Sequence, residues 1–212
     1  MTQAISLMKS ITFRSLSAGL TAMMVALIAA VSFAGAAAAS SFDRVSFSQK
    51  DKALSSYEEV YIAPVEVSLP EAASRFALRR GRGERGVSER DQSDRAQDLY
   101  DSLSYSSGER FSLADAPGPG VLTVSATITR LASTRPTVED YRRDVNLDLN
   151  SIYTGGADIS IVLTENGSEV ATLSDSDFGN LNDGRIRAGI WSDADRAFSR
   201  WGRKLAKFLA KN

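Results

Sequence analysis

Two stretches of alternating apolar and polar residues, joined by Asn166-Gly167, constrain the fold of this chain more than any other feature of its sequence. Successive side chains of a β-strand point to opposite faces, so an alternating pattern predicts a strand with one buried face. The inward positions of the first strand are Ala157, Ile159, Ile161 and Leu163. Asn-Gly is the preferred pair for a tight hairpin turn, and residues 170–173 supply the partner strand. The sequence therefore predicts an antiparallel β-hairpin.

Three other segments are predicted to be strands. Residues 121–129 alternate apolar with hydroxyl side chains, as in a half-buried strand. Residues 60–67 favour a strand, but Pro64 cannot donate a hydrogen bond to a neighbouring strand, so we expect an edge strand or a bulge there. A shorter strand is expected around Phe111 and Leu113.

Two helices are also predicted. The first runs from Ser88 to about Leu103 and has one apolar face. The second is expected to be capped by Ser192 and carries Asp193 and Asp195 in its first turn, where the helix dipole favours acids. Its apolar stripe consists of Ala194, Ala197, Phe198, Trp201, Leu205, Phe208 and Leu209.

The order of these elements predicts an α+β fold, with an antiparallel sheet of about four to five strands and two helices packed on one face. We expect this single domain to span residues 57–212. Residues 40–56 are polar and Ser-rich and are expected to form a lead-in to the domain.

The N-terminal part of the chain has a different composition. Lys9 and Arg14 are the only charged residues before Asp43, residues 20–31 are apolar, and residues 35–40 are small. A basic start, an apolar centre and an Ala-x-Ala exit are typical of a secretory signal peptide. The sequence therefore predicts that the protein is exported to the periplasm.

We predict that residues 1–39 are removed by cleavage between Ala39 and Ser40, with Ala36 as the nearest alternative. Met8 is an alternative start of the chain. An uncleaved anchor in the inner membrane is the competing interpretation, because the apolar stretch approaches the roughly 20 residues that a spanning helix needs.

Composition excludes several classes of function. The chain contains neither Cys nor His, which excludes disulfides, a thiolate nucleophile, a Ser–His–Asp triad and an ordinary zinc site. Its 25 basic and 26 acidic residues give a formal net charge of -1, which argues against a protein that mainly binds nucleic acid. We expect no cofactor and no nucleic-acid partner.

Residues 81–86 match the G-x-G-x-x-G pattern of dinucleotide-binding loops, but the buried strand that must precede such a loop is missing. The same part of the chain is rich in arginine and glycine, which predicts a solvated loop rather than a cofactor site or an electrostatic site for RNA. We treat this loop as a candidate partner surface. Its candidate residues are Arg79, Arg80, Arg82 and Arg85.

A cluster of acids and amides precedes the last helix. Its members are Asp175, Asp177, Asn180, Asn182 and Asp183. They resemble a calcium loop in composition but lack its spacing, and such residues also populate ordinary turns, so we assign no metal ligand. Nothing singles out two carboxylates for glycoside hydrolysis, so a small carboxylate-dependent envelope hydrolase stays an alternative without assigned catalytic residues.

The last helix carries cations opposite its apolar stripe. A basic amphipathic helix of this kind can lie on anionic lipid, here through Arg200, Lys204 and Lys207. The interpretation we prefer is that the stripe packs on the sheet, because the sheet would otherwise keep a bare apolar face.

Four segments together resemble the bacterial envelope family known as domain of unknown function 3313. They are residues 57–67, 117–129, 156–159 and 191–194. The resemblance implies an exported, non-catalytic accessory protein and assigns no functional residue. Many members are predicted lipoproteins, whereas this chain has Ser at position 40 and no Cys to carry a lipid.

We therefore expect a periplasmic, non-enzymatic binding or assembly protein of the cell envelope. The surfaces expected to bind a partner are the strand edge near Pro64 and the Arg-rich loop at residues 75–86, because partners add at edges and loops. The two alternatives are the carboxylate hydrolase and a peripheral membrane protein that uses its last helix.

Overall fold

A computed structural model of the protein describes residues 41–49, 53–70, 86–143, 145, 148 and 150–212. These residues belong to one compact unit of the chain, Ala37–Asn212. Several predicted features lie outside the described residues. They are the signal peptide 1–39, the cleavage site Ala39-Ser40 and the candidate partner residues Arg79, Arg80, Arg82 and Arg85.

The described residues form a single mixed β-sheet with helices, which is an α+β fold. Seven strands are present: β1 (Arg44–Phe47), β2 (Glu59–Ile62), β3 (Glu66–Val67), β4 (Ser112–Leu113), β5 (Val121–Ala132), β6 (Gly156–Glu165) and β7 (Ser168–Phe178). Their order in the sheet is β1-β7-β6-β5-β2-β4, and β3 pairs with β5 beyond the end of β2. The pairs β1–β7, β7–β6 and β6–β5 are antiparallel, whereas β2 and β3 pair in parallel with β5, and β4 pairs in parallel with β2.

Three α-helices accompany the sheet in the described part of the chain. They are α1 (Glu89–Gly108), α2 (Val138–Arg143) and α3 (Ser192–Lys211). The Ser88 side chain caps α1 by accepting a hydrogen bond from the backbone N–H of Asp91, as expected for a serine at this position. A one-turn 3-10 helix, Leu54–Ser56, contacts α3.

The predicted hairpin is confirmed. Strands β6 and β7 are joined by Asn166 and Gly167, whose φ angles of 49° and 78° are those of the two central residues of a type I′ turn. A type I′ turn matches the twist of the flanking strands and needs a positive φ at both central positions, which Asn and Gly tolerate. The inward positions predicted for β6 are buried.

The sheet has more strands, and the domain more helices, than the four to five strands and two helices expected from the sequence. Residues 60–67, which were expected to form one strand, are divided into β2 and β3, and the short strand expected around Phe111 and Leu113 is β4. Strand β1 lies within residues 40–56, which were expected to form a polar lead-in, and it pairs with β7 at the edge of the sheet. Phe42, just before β1, is buried in the core.

Pro64 interrupts its strand, as its missing N–H group predicts. Strand β2 ends at Ile62 and β3 begins at Glu66, and both pair with β5. Strand β4 covers only the start of β2, so the sheet edge beyond Val60 has no further strand among the described residues.

Helices α1 and α3 pack against each other and against the apolar face of the sheet. The apolar stripe predicted for α3 is buried, except for the half-buried Phe208, which contacts the rings of Phe42 and Phe47. The two helices approach closely at Gly202. A Cβ atom there would lie 2.3 Å from the carbonyl oxygen of Ser102 and 2.7 Å from Oγ of Ser106.

We predict that Gly202→Ala destabilises the protein by about 2 kcal/mol, although alanine is the better helix former, because the helix backbones would have to separate. The measurement is the free energy of unfolding in urea. Gly118→Ala is the matched control, because its Cβ would meet only a side-chain atom of Val121 at 3.9 Å. Equal stability of the two variants would contradict the close helix contact.

Candidate binding surfaces

Asp193, in the first turn of α3, joins two loops at one end of the sheet. These loops are residues 133–155, between β5 and β6, and residues 179–191, between β7 and α3. The Asp193 carboxylate is 2% exposed and accepts hydrogen bonds from the backbone N–H of Gly155 at 3.3 Å and from Nε of Arg187 at 3.1 Å. The backbone N–H of Asp193 donates to Oγ1 of Thr134 at 3.2 Å.

The start of α3 differs from the sequence-based expectation. Ser192 is the first residue of the helix rather than its cap, and its hydroxyl bonds to the backbone of Gly189. Asp193 and Asp195 lie in the first turn as expected, and Asp193 is in addition buried and paired with arginines. A periodic pattern does not show which of two neighbouring acids faces the protein.

Arg187 is the main cationic partner of this carboxylate. Its side chain is buried, and its Nη2 donates to Oδ1 of Asp183 at 2.9 Å and to the carbonyl of Asn180 at 2.6 Å. Burial alone would lower the pKa of Arg187, but the hydrogen bonds to Asp193 and Asp183 outweigh it and raise that pKa. The pKa of Asp183 is lowered, because the backbone N–H of Arg185 and the Arg187 guanidinium outweigh the opposing effect of burial.

The two loops are also joined directly. The backbone N–H of Thr134 donates to the carbonyl of Ile190 at 2.6 Å, and Nε of Arg135 donates to the carbonyl of Arg187 at 3.0 Å. The backbone N–H of Gly179 donates to the carbonyl of Gly155 at 2.8 Å. We call the surface formed by residues 133–155 and 179–191 the loop platform.

The loop platform carries most of the exposed large hydrophobic side chains of the described residues. Six of the eight such side chains lie on it: Val138, Val145, Ile152, Leu181, Ile186 and Ile190. The Ile186 side chain is the most accessible, at 93%. Single exposed aliphatic residues are ordinary on a protein surface, so the observation of interest is that six of them lie on two loops that are joined at one end of the sheet.

The loop platform was not predicted from the sequence. Thr137 and Asp140 form a capping box that begins α2. That Thr-x-x-Asp spacing is a recognisable helix start. No local pattern indicates that Arg187 is buried, because its partners come from α3 and from the turn before it.

The strand edge at Pro64, which was predicted as a working surface, borders a pocket of about 380 Å³. One wall consists of Tyr61, Ile62, Pro64 and Val65. The other wall is the side of α1 that presents Ala96 and Tyr100, and Asp115 lies at the rim. A second pocket of similar volume lies between α1 and α3 and includes Asp101, Glu109 and Arg203.

The acids considered for calcium binding contact cations of the protein itself. Asp175 is buried and accepts hydrogen bonds from Nε1 of Trp201 at 2.8 Å and from Nζ of Lys204 at 2.5 Å. Asp177 pairs with Arg200. Among the described residues, no group of three or more acids is arranged to hold a metal ion.

The three cations considered for membrane contact therefore differ in what they contact. Arg200 and Lys204 face the sheet and pair with its carboxylates, whereas Lys207 is exposed. None of the helices that the structure describes is long and apolar enough to cross a membrane.

Two acids have the raised pKa that a carboxylate-dependent hydrolase needs. Burial raises the pKa of Asp177 against the opposing effect of Arg200, and burial likewise raises the pKa of Asp195 against Arg95. Neither residue lines either of the two pockets. Both acids thus act as partners of arginines in the packing of α3.

Comparison with known proteins assigns the chain to a family. The model of the family described as protein of unknown function, DUF3313, matches residues 36–205. The chain belongs to this family. A search of curated proteins finds no match.

The chain also resembles solved structures at low identity. A PelC dodecamer from Paraburkholderia phytofirmans is 10% identical, with a TM-score of 0.40 and coverage of 76% of this chain and 96% of that chain. A DUF330 protein from Xanthomonas campestris is 11% identical, with a TM-score of 0.38 and coverage of 72% and 83%. A DUF4136 family protein from Bacteroides thetaiotaomicron is 9% identical, with a TM-score of 0.37 and coverage of 79% and 95%.

We predict that Asp193→Asn destabilises the protein by about 3 kcal/mol, because it leaves the buried Arg187 without one of its two carboxylate partners. Asp195→Asn is the matched control. Asp195 lies in the same first turn, and its replacement removes the same interaction with the helix dipole. Its carboxylate is half-exposed, so we expect Asp195→Asn to lower the free energy of unfolding by about 1 kcal/mol or less. Urea unfolding measures both, and similar losses would mean that Asp193 acts only through the helix dipole.

The pKa shifts of Asp177 and Asp183 predict opposite dependences of stability on pH. The pKa of Asp177 in the folded state is above its ordinary 3.8, so this carboxylate binds a proton more readily in the folded state than in the unfolded state. The stability of the wild type relative to Asp177→Asn should therefore rise as the pH falls from 7 to about 4. Asp183 has a folded pKa below 3.8, so its contribution is present above that pH and is lost as the pH falls through the folded pKa. Urea unfolding of Asp177→Asn and Asp183→Asn between pH 7 and pH 3 measures both slopes, and slopes of one sign would contradict this assignment.

Proposed function

We propose that this member of the DUF3313 family is an exported, non-enzymatic binding protein of the bacterial cell envelope that docks its partner on the loop platform. The observation that carries the proposal is the grouping of six exposed aliphatic side chains on two loops that a buried ion cluster holds in place. Exposed apolar surface of this kind is costly in water and is retained where a partner covers it.

The arrangement of the platform supports binding by a preformed surface. Its apolar side chains project from loops whose backbones are fixed at Thr134, Gly155 and Arg187. A surface that is already ordered loses little conformational entropy when a partner binds. Arg142 and Arg185, which are mostly exposed, lie beside the aliphatic residues and can contribute polar contacts at the rim.

Binding is a better proposal than hydrolysis for this site. Catalysis by carboxylates needs two of them to converge on a cleft from which water is excluded. Asp177 and Asp195, which have the raised pKa values, are each paired with an arginine and lie outside both pockets. The proposed role therefore includes no catalytic residue.

The proposed location follows from the N-terminal sequence. The basic start, the apolar stretch and the Ala-x-Ala site before Ser40 support export and cleavage. We propose that the mature protein acts in the periplasm, with an uncleaved inner-membrane anchor as the alternative. A role as a peripheral membrane protein is a second outcome that the same experiment tests, because exposed aliphatic tips can also enter a lipid surface.

The test is photocrosslinking in living cells with a photoreactive amino acid at position 186. Position 105 is the matched control, because the Tyr105 side chain is 75% exposed but lies on α1, away from the platform. We expect position 186 to crosslink to one defined envelope protein and position 105 to give no such product. Mass spectrometry of the same purified chain should find Ser40 at its N-terminus.

Each of the other outcomes would contradict one part of the proposal. Equal products at both positions, or none at 186, would remove the loop platform as the docking surface. Crosslinks from 186 to lipid alone would assign the platform to the membrane. Retention of residues 1–39 would replace the soluble periplasmic form by an anchored one.

A further inference from the structure

The edge of the sheet next to Pro64 is a second surface, separate from the loop platform. Strand β4 pairs only with Glu59 and Val60 of β2. Residues 61–67 then continue along the edge for roughly 23 Å, at 3.3 Å for each residue, without a further strand in the part of the chain that the structure describes. We call this stretch the open edge.

The backbone of the open edge is oriented to pair with another strand. The N–H groups of Ala63 and Ser68 donate to β5, at Val124 and Ile128 respectively. Because backbone groups alternate in direction along a strand, those of Ile62 and Val67 turn to the opposite side, where β4 would lie if it were longer. An unpaired row of such groups is a template for an added strand.

The open edge has a wall for the side chains of an added strand. The pocket of about 380 Å³ runs between this edge and α1. Tyr61, Val65 and Tyr100 are half-buried in its walls, and Ser93 and Gln97 add polar groups on the side formed by α1. Alternate side chains of an extended peptide would face this mixed wall of apolar and polar groups.

The charges beside the open edge are acidic. Glu66 on the edge and Asp115 in the adjoining pocket are exposed, and no described cation pairs with either of them. No lysine or arginine is among the described residues that line the pocket. Complementary charges across an interface steer association and suppress partners of the wrong sign.

We propose that the open edge binds an extended, basic peptide segment of a partner protein, which adds as a strand beside β2 and β3. The backbone of the edge provides the hydrogen bonds, the pocket accepts small apolar side chains at alternate positions, and Glu66 and Asp115 contact basic side chains at the others. This site does not depend on the function proposed for the loop platform.

The first probe is a fluorescein-labelled ten-residue peptide that alternates Val and Arg, measured by fluorescence anisotropy with the purified protein. We expect saturable binding. The Val–Glu peptide of the same length should bind at least tenfold more weakly because of its charge. A Val–Arg peptide with N-methyl groups on alternate residues should bind at least tenfold more weakly, because it cannot donate the backbone hydrogen bonds of an added strand.

Matched variants of the protein test the same site. Glu66→Gln combined with Asp115→Asn should weaken binding of the Val–Arg peptide about five- to tenfold and reduce the dependence of this binding on salt concentration. Glu109→Gln combined with Asp148→Asn removes the same charge from exposed positions elsewhere and should leave binding unchanged. Ile186→Ser should also leave it unchanged, which separates this site from the loop platform.

Four results would overturn the proposal. Equal binding of the N-methylated peptide would exclude strand addition, and equal binding of the Val–Glu peptide would exclude selection by charge. Binding that is absent from the intact protein and appears only after deletion of residues 71–85 would assign the open edge to the chain's own segment instead of a partner. Absence of binding to every form would exclude the site.

Discussion

The buried pairing of Asp193 with Arg187 is the interaction on which the rest of this end of the molecule depends. Asp193 belongs to α3, Arg187 to the loop before it, and Thr134 and Gly155 to the loop between β5 and β6. One carboxylate thus fixes the helix and both loops relative to each other. A buried charge pair is strongly destabilised when one partner is lost, so the three elements stay together or separate together.

This arrangement explains how hydrophobic side chains can project from irregular backbone. The side chains of Ile186 and Leu181 are exposed, so their burial contributes nothing to the stability of the loop that carries them. Other contacts must therefore determine the conformation of this loop. Here the determining contacts are polar: Arg187 holds the carbonyl of Asn180 and the carboxylate of Asp183, and Thr134 holds the carbonyl of Ile190. The apolar side chains are then free to contact a partner, because they are not needed for folding.

The parts of the structure that could be predicted from the sequence are those in which local pattern and burial agree. The β6–β7 hairpin, the strand from Val121 and the C-terminal helix repeat their pattern over ten residues or more, so an error at one position does not change the prediction. The strands at residues 60–67 and around Leu113 were also predicted, whereas β1 was not, because its pairing is decided by β7, far away in the chain. Arg187 was missed although its acceptors lie close to it in the sequence, between Asn180 and Asp193, because no periodic pattern marks an arginine that turns back onto its own loop.

The position of α3 on the sheet follows from a second set of charges. Arg200 and Lys204 are four residues apart and so lie along one side of the helix, where they meet Asp177 and Asp175 of β7. Moving the helix by one turn would break both of these pairs, whereas the Arg196–Asp193 pair lies within α3 and would move with it. The apolar stripe alone would tolerate such a shift, since Ala, Phe, Trp and Leu can repack, whereas a partly buried charge cannot be left unpaired at low cost. These cations therefore specify the register of α3, and the placement of Asp193 at the loop platform is a consequence of that register.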